Sequence, residues 1–209
     1  MPYHPIKTPF LSLDIRNMSK KELKSHFNWF LEIIPERMKK LARTVRETPG
    51  FEGWKSDCTP DSLGPLGEWL GMQVETRPVT NEEILEFEQY RQEQLKKFKG
   101  NFNQESLLKV LEPPNEKLTD RTVSIIMDVG IYLSQVLMRN HLTLRWELPL
   151  GSKRFVDYGR PVLAGFGRVS MNPMTIVANV AGGTLSKKRT GGRLRELYDI
   201  WSKDVGHVA

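Results

Sequence analysis

From Ser19 onward, Leu23, Phe27, Phe30, Leu31, Ile34, Met38, Leu41 and Val45 recur every three or four residues. That spacing gathers apolar side chains on one side of an α-helix. Ser19 and Glu22 form a capping-box pair ahead of it, hydroxyl and carboxylate each satisfying a free backbone N–H. Pro35 removes a backbone donor, so the pattern predicts a kink or two helices in tandem, ended by the Thr-Pro-Gly of residues 48–50. Before this helix, Leu11, Leu13 and Ile15 alternate with Ser12, Asp14 and Arg16, which predicts a half-buried strand.

Residues 49–61 carry no period. Thr59 and Pro60 then read as N-cap and first helical position. Leu63, Leu66, Trp69 and Leu70 follow on one face, and Gly71 is a stop signal. Thr80 and Glu83 make a second capping box, opening a charged helix to about Lys99 with a thin stripe of Ile84, Phe87, Leu95 and Phe98. Residues 100–115 are polar and broken by Pro113 and Pro114. A helix over about 119–139 is apolar on several sides, with Ile125, Ile126, Val129, Tyr132, Leu133, Val136 and Leu137, and is expected at the centre of the core.

After Asn140 the period shortens to two. Leu142, Leu144, Trp146 and Leu148 alternate with Thr143, Arg145 and Glu147, a strand pattern. Phe155, residues 162–166 and residues 175–180 read as further short strands with short, hairpin-like connections. Residues 181–192 are glycine-rich and basic, and Leu194, Leu197, Tyr198 and Trp201 mark a last helix. The expectation is an α+β fold: N-terminal helices packed on a small, mainly antiparallel C-terminal sheet, with a closing helix. One domain over 1–209 is expected, helical over about 17–140 and sheet-rich over about 141–209.

Composition changes little in this picture. At 39% hydrophobic and 27% charged residues the chain is globular rather than disordered. Residues 123–138 are the most apolar stretch, but Ser124, Asp128, Ser134 and Gln135 interrupt it and no membrane span is expected. No signal peptide is expected at the start. The lone Cys58 excludes an internal disulfide, so a cytoplasmic location is expected. Charge is more informative. Residues 1–50 carry 10 basic and 5 acidic side chains, residues 51–118 carry 8 and 13, and residues 119–209 carry 13 and 7. Such segregation points to local patches rather than a uniformly basic surface.

Candidate chemistry is sparse. His4, His26, His141 and His207 show no ligand spacing, and one cysteine cannot build a zinc site; no metal and no cofactor is expected. Asp57 beside Cys58 opposes thiolate formation. Glu147 and Asp157 could serve a small hydrolase, or Glu147 could simply pair with Arg145, Arg154 or Arg160 across the sheet. The basic glycine-rich segment offers Lys187, Lys188, Arg189, Arg193 and Arg195 between an expected strand and helix, a placement that suits phosphate or nucleic acid. The alternative reading is a solvated connector between two elements. Glu82, Glu83, Glu86 and Glu88 form an acidic helix face that could meet a basic protein partner. Trp29, Trp69, Trp146 and Trp201 fall on apolar stripes, whereas Trp54 does not.

Residues 59–69, Val129 to Leu133 through Arg145 and Trp146, and Asn172 with Pro173 resemble a broad group of small bacterial proteins. Some comparable groups look like immunity or accessory proteins of toxin and mobile-element systems. The resemblance implies a protein partner and carries over no catalytic residue. The leading expectation is a non-enzymatic bacterial protein that binds a macromolecule, in the manner of an immunity-type inhibitor.

Overall fold

A computed structural model describes residues 3–7, 15–97, 114–185 and 192–205. Contacts divide the chain into two compact units, one of residues 1–74 with 120–209 and one of residues 75–119. Mixed α and β structure is shown: six helices among the described residues, with two small antiparallel sheets.

The larger unit is built around one helix. Helices α1 (Lys20–Arg46) and α2 (Leu63–Gln73), the latter preceded by a 3-10 turn at Pro60–Ser62, come first in the chain. The central helix (Asp120–Asn140, α4 in chain order) buries Ile125, Val129, Tyr132, Val136 and Leu137 along its core-facing sides. Its length and composition would allow a membrane crossing, but most of it is packed inside the unit. Ser19 caps α1 in the expected box, with the Ser19 N–H donating to Glu22 and the Glu22 N–H to the Ser19 hydroxyl. The helix then runs through Pro35 as a single element; among its buried residues are Leu23, Phe30, Leu41 and Val45.

Trp69 is fully buried on α2, and its indole N–H donates to the Thr48 hydroxyl at 2.9 Å. Trp54, off every apolar stripe in the sequence, is buried too. It packs against Tyr132 at 5.2 Å and donates to the Ser62 carbonyl. The Tyr132 hydroxyl reaches both Ser62 and the Cys58 N–H. A loop without periodicity is thus ordered by side-chain hydrogen bonds that no sequence period signals.

Strands β3 (Arg145–Glu147), β4 (Val162–Phe166) and β5 (Val169–Met171) form the antiparallel sheet, in that order. Trp146 lies opposite Leu163 and meets Phe30 edge-on at 4.9 Å. The alternating run is shorter than its pattern. Leu142 sits in a turn and is 92% exposed, so strand pairing is confined to the three residues that find a partner in β4. Phe155 also lies at a bend rather than in a strand.

The largest departure is residues 175–180, expected as a strand and found inside helix α5 (Pro173–Leu185). Asn172 caps it by accepting the Thr175 N–H at 3.2 Å, and Pro173 opens it. Gly130 is what lets the helix dock. A methyl there would sit 3.2 Å from the backbone nitrogen and Cα of Met174. Helix α6 (Arg193–Lys203) closes the chain as expected, burying Leu194 and Tyr198.

The smaller unit holds strands β1 (Thr76–Pro78) and β2 (Glu116–Leu118), paired antiparallel, and helix α3 (Asn81–Lys97). The second capping box is present, with the Thr80 N–H on Glu83 and the Glu83 N–H on Thr80. The expected strand at residues 11–15 lies largely outside the described residues, as does Phe98.

Candidate functional site: a basic cavity on helix α1

On α1, Trp29, Ile33, Arg37, Lys40 and Arg43 follow one another at intervals of three or four residues, with Glu36 next to Arg37, so they share one side of the helix. Segment 3–7 runs along that side without regular secondary structure. Between them lies a cavity of about 730 Å³ lined by His4, Pro5, Ile6 and Lys7 from the segment and by these helix residues with Lys39.

The segment is anchored at its first described residue. Tyr3 is buried, and its hydroxyl donates to the Asp128 carboxylate. Arg37 grips the same carboxylate with two bonds of 2.6 Å, from Nε and Nη2. Burial pushes the Asp128 carboxyl up and draws the Arg37 guanidinium down. The fork of two short bonds opposes both shifts, because it favours the charged form of each partner. Arg37 is therefore neutralised within the unit.

Further along, the Ile6 N–H donates to the Ser124 hydroxyl at 2.9 Å. Lys40 donates to the His4 carbonyl and stands 4.7 Å from the centroid of the Tyr3 ring, a cation–π distance. Burial, and then the Arg37 and Arg43 charges, draw Lys40 below the ordinary lysine range against the pull of Glu36. Arg43 lies 4.0 Å from Glu47, with both side chains about half exposed, a distance that neutralises little in water. Lys7 and Lys39 complete the basic lining, against the single carboxylate of Glu36. A concave site with one dominant sign of charge focuses its field and draws counter-ions. What this arrangement can do is hold an anion.

The residues singled out from the sequence lie elsewhere. Lys187, Lys188 and Arg189 are outside the described residues. Arg193 is paired with Glu196 at 2.7 Å, and Arg195 with Asp199 at 3.2 Å and also with Asp61, from the turn that precedes α2. Their setting is helix–connection–helix, not strand–connection–helix, because α5 replaces the expected strand. Glu147 pairs with Arg145 at 3.3 Å, while Asp157 accepts the Asn172 side-chain amide at 2.7 Å.

On α3, Glu83 receives Arg77 and Lys117, and these hydrogen bonds hold its carboxyl far below the usual range. Glu88 is paired with Arg91 at 3.0 Å, and Glu82 and Glu86 are exposed. Burial raises the Cys58 thiol, which lies in a shallow recess with Met38, Gln135, Met138 and Arg139. Among the described residues, no three of His, Cys, Asp and Glu come together where they could hold a metal ion.

Sequence reading missed the cavity because segment 3–7 has no period to announce it. One signal was available: Arg37, Lys39, Lys40, Arg43 and Arg46 crowd the second half of α1 within a stretch of positive net charge. No protein-family model matches this chain, and no curated protein or solved structure matches it either.

Proposed function

We propose that this chain is a binding protein without chemistry of its own, and that an anionic macromolecule docks over the cavity between segment 3–7 and α1. The observation that supports the reading is the charge of the lining: Lys7, Lys39, Lys40 and Arg43 face one carboxylate, Glu36, once Arg37 is spent on Asp128. Like charges gathered along one concave face repel one another and are relieved by an incoming anion. Heparin, a linear polyanion, tests this directly. The wild-type protein should be retained and eluted by salt, and the double variant Lys39→Glu, Arg43→Glu should pass through at the ionic strength that retains the parent. Equal elution of the two proteins refutes the assignment.

A second reading, a protein partner of the immunity type, is favoured by α3. Leu85 and Tyr90 are 64% and 53% exposed there, on the helix that also exposes Glu82 and Glu86. Stoichiometric capture of one protein, lost on Leu85→Asp and indifferent to the α1 variants, would support it. A hydrolase resting on Glu147 and Asp157 has less behind it, since each carboxylate already has a side-chain partner.

A further inference from the structure

We infer that segment 3–7 is a strap whose docking, through the Tyr3 hydroxyl on Asp128, assembles the anion cavity, so that anion binding and strap docking are coupled. This rests on the reading of the cavity as an anion site.

Three observations carry it. First, the strap has no helix or sheet to hold it, yet Tyr3 is only 5% exposed. Its docking depends on a few side-chain contacts: the Tyr3 hydroxyl on Asp128, the Ser124 hydroxyl on the Ile6 N–H, and Lys40 on the His4 carbonyl. Such segments open locally at far lower cost than packed helices. Second, the socket is built without the strap. Arg37 and Asp128 belong to α1 and α4, and their mutual fork fixes the carboxylate that Tyr3 meets. Third, the strap supplies His4, Pro5, Ile6 and Lys7 to the cavity wall, and Lys40 serves both the strap and the cavity.

An undocked strap thus removes one wall and one cation from the site. An anion that binds the strapped form more tightly must favour docking by the same factor, because coupling of two binding equilibria is reciprocal. Tyr3 is a positioning residue on this account. It acts on the ligand through the wall it holds, with no contact required.

The Ile6 amide reports docking, since its N–H is bonded to Ser124 only when the strap is down. Amide hydrogen exchange at Ile6 is measured on the full chain with and without inorganic tripolyphosphate, alongside the tripolyphosphate affinity by calorimetry. Saturating tripolyphosphate should slow Ile6 exchange by the factor, about tenfold for a coupling in the usual range, by which it prefers the strapped form. Tyr3→Phe keeps the ring and removes only the hydroxyl. It should speed Ile6 exchange and weaken tripolyphosphate by several-fold, with the melting temperature of the tryptophan-bearing core nearly unchanged. Tyr3→Ala should do both more strongly.

If tripolyphosphate binds and Lys39→Glu, Arg43→Glu abolishes binding, but Ile6 exchange is unaltered and Tyr3→Ala binds as tightly as the parent, the coupling is overturned and the cavity reading survives. If tripolyphosphate does not bind at low salt, the cavity reading fails and takes the strap with it.

Discussion

At the scale of single residues, the ion pair of Arg37 and Asp128 is the feature with the most at stake. Both side chains are almost fully buried, so removing one leaves a buried charge without its counter-ion. Arg37→Met should cost about 3–5 kcal/mol in urea unfolding. Replacing both partners, Arg37→Met with Asp128→Leu, should recover much of that loss, because two apolar residues leave no charge stranded. A single-variant loss under about 1 kcal/mol would show that the pair is hydrated rather than buried. Cys58 makes the opposite prediction. Burial raises its thiol, and the thiolate is the reactive form. Labelling by iodoacetamide at neutral pH should therefore be slow in the native protein and fast in urea, and rapid native labelling would contradict the burial.

At the scale of elements, close approach governs where the helices dock. Gly130→Val would push a branched side chain into the Met174 backbone, already 3.2 Å from a methyl at that position. It should destabilise the larger unit by about 1–3 kcal/mol, read as a fall in the urea midpoint with α6 contacts near Tyr198 intact.

Gly165 is a second such point. Its φ of +115° and the Thr143 carbonyl 2.8 Å from any added Cβ both resist alanine. In the smaller unit the prediction concerns pH. Glu83 is held below the ordinary carboxyl range by Arg77 and Lys117. A depressed folded value contributes stability above the unfolded carboxyl pKa and loses it as pH falls through the folded one. Amide protection in α3 should therefore weaken progressively as pH falls from about 4, and Glu83→Gln should flatten that dependence.

Much of this level was legible in the chain. Both capping boxes and the 3.6-residue stripes of α1, α4 and α6 stand in the sequence at the places where the helices begin and bury. The strand over 175–180 was misread because Thr175, Ile176, Val177 and Val180 are β-branched and carry no polar alternation, which leaves strand and buried helix indistinguishable by period. Asn172 and Pro173 were the better guide, as N-cap and opening proline. Strands β1 and β2, three residues each, are too short to show a period at all. The cavity escaped for a related reason: its strap is fixed by tertiary hydrogen bonds to Asp128 and Ser124, partners more than a hundred residues away.

At the scale of the whole molecule, the charge segregation along the sequence acquires a place. The positive surplus of residues 1–50 is concentrated where segment 3–7 meets the second half of α1. All five tryptophans lie in the larger unit, so tryptophan fluorescence follows that unit alone while far-UV circular dichroism follows both. A single domain predicts coincident thermal transitions by the two probes, and separated melts would divide the chain into two folding units.

The central claim, that the basic cavity takes an anionic partner, is tested most directly by the salt dependence of binding to a fluorescein-labelled heparin oligosaccharide, followed by anisotropy. With Lys7, Lys39 and Arg43 each neutralising about one charge, log affinity should fall against log salt with a slope of about −2, at roughly 0.7 per charge on a single chain. In the variant Lys39→Glu, Arg43→Glu that slope should collapse towards zero together with the affinity. An unchanged slope and affinity in that variant would contradict the account and place the anionic contact elsewhere on the protein.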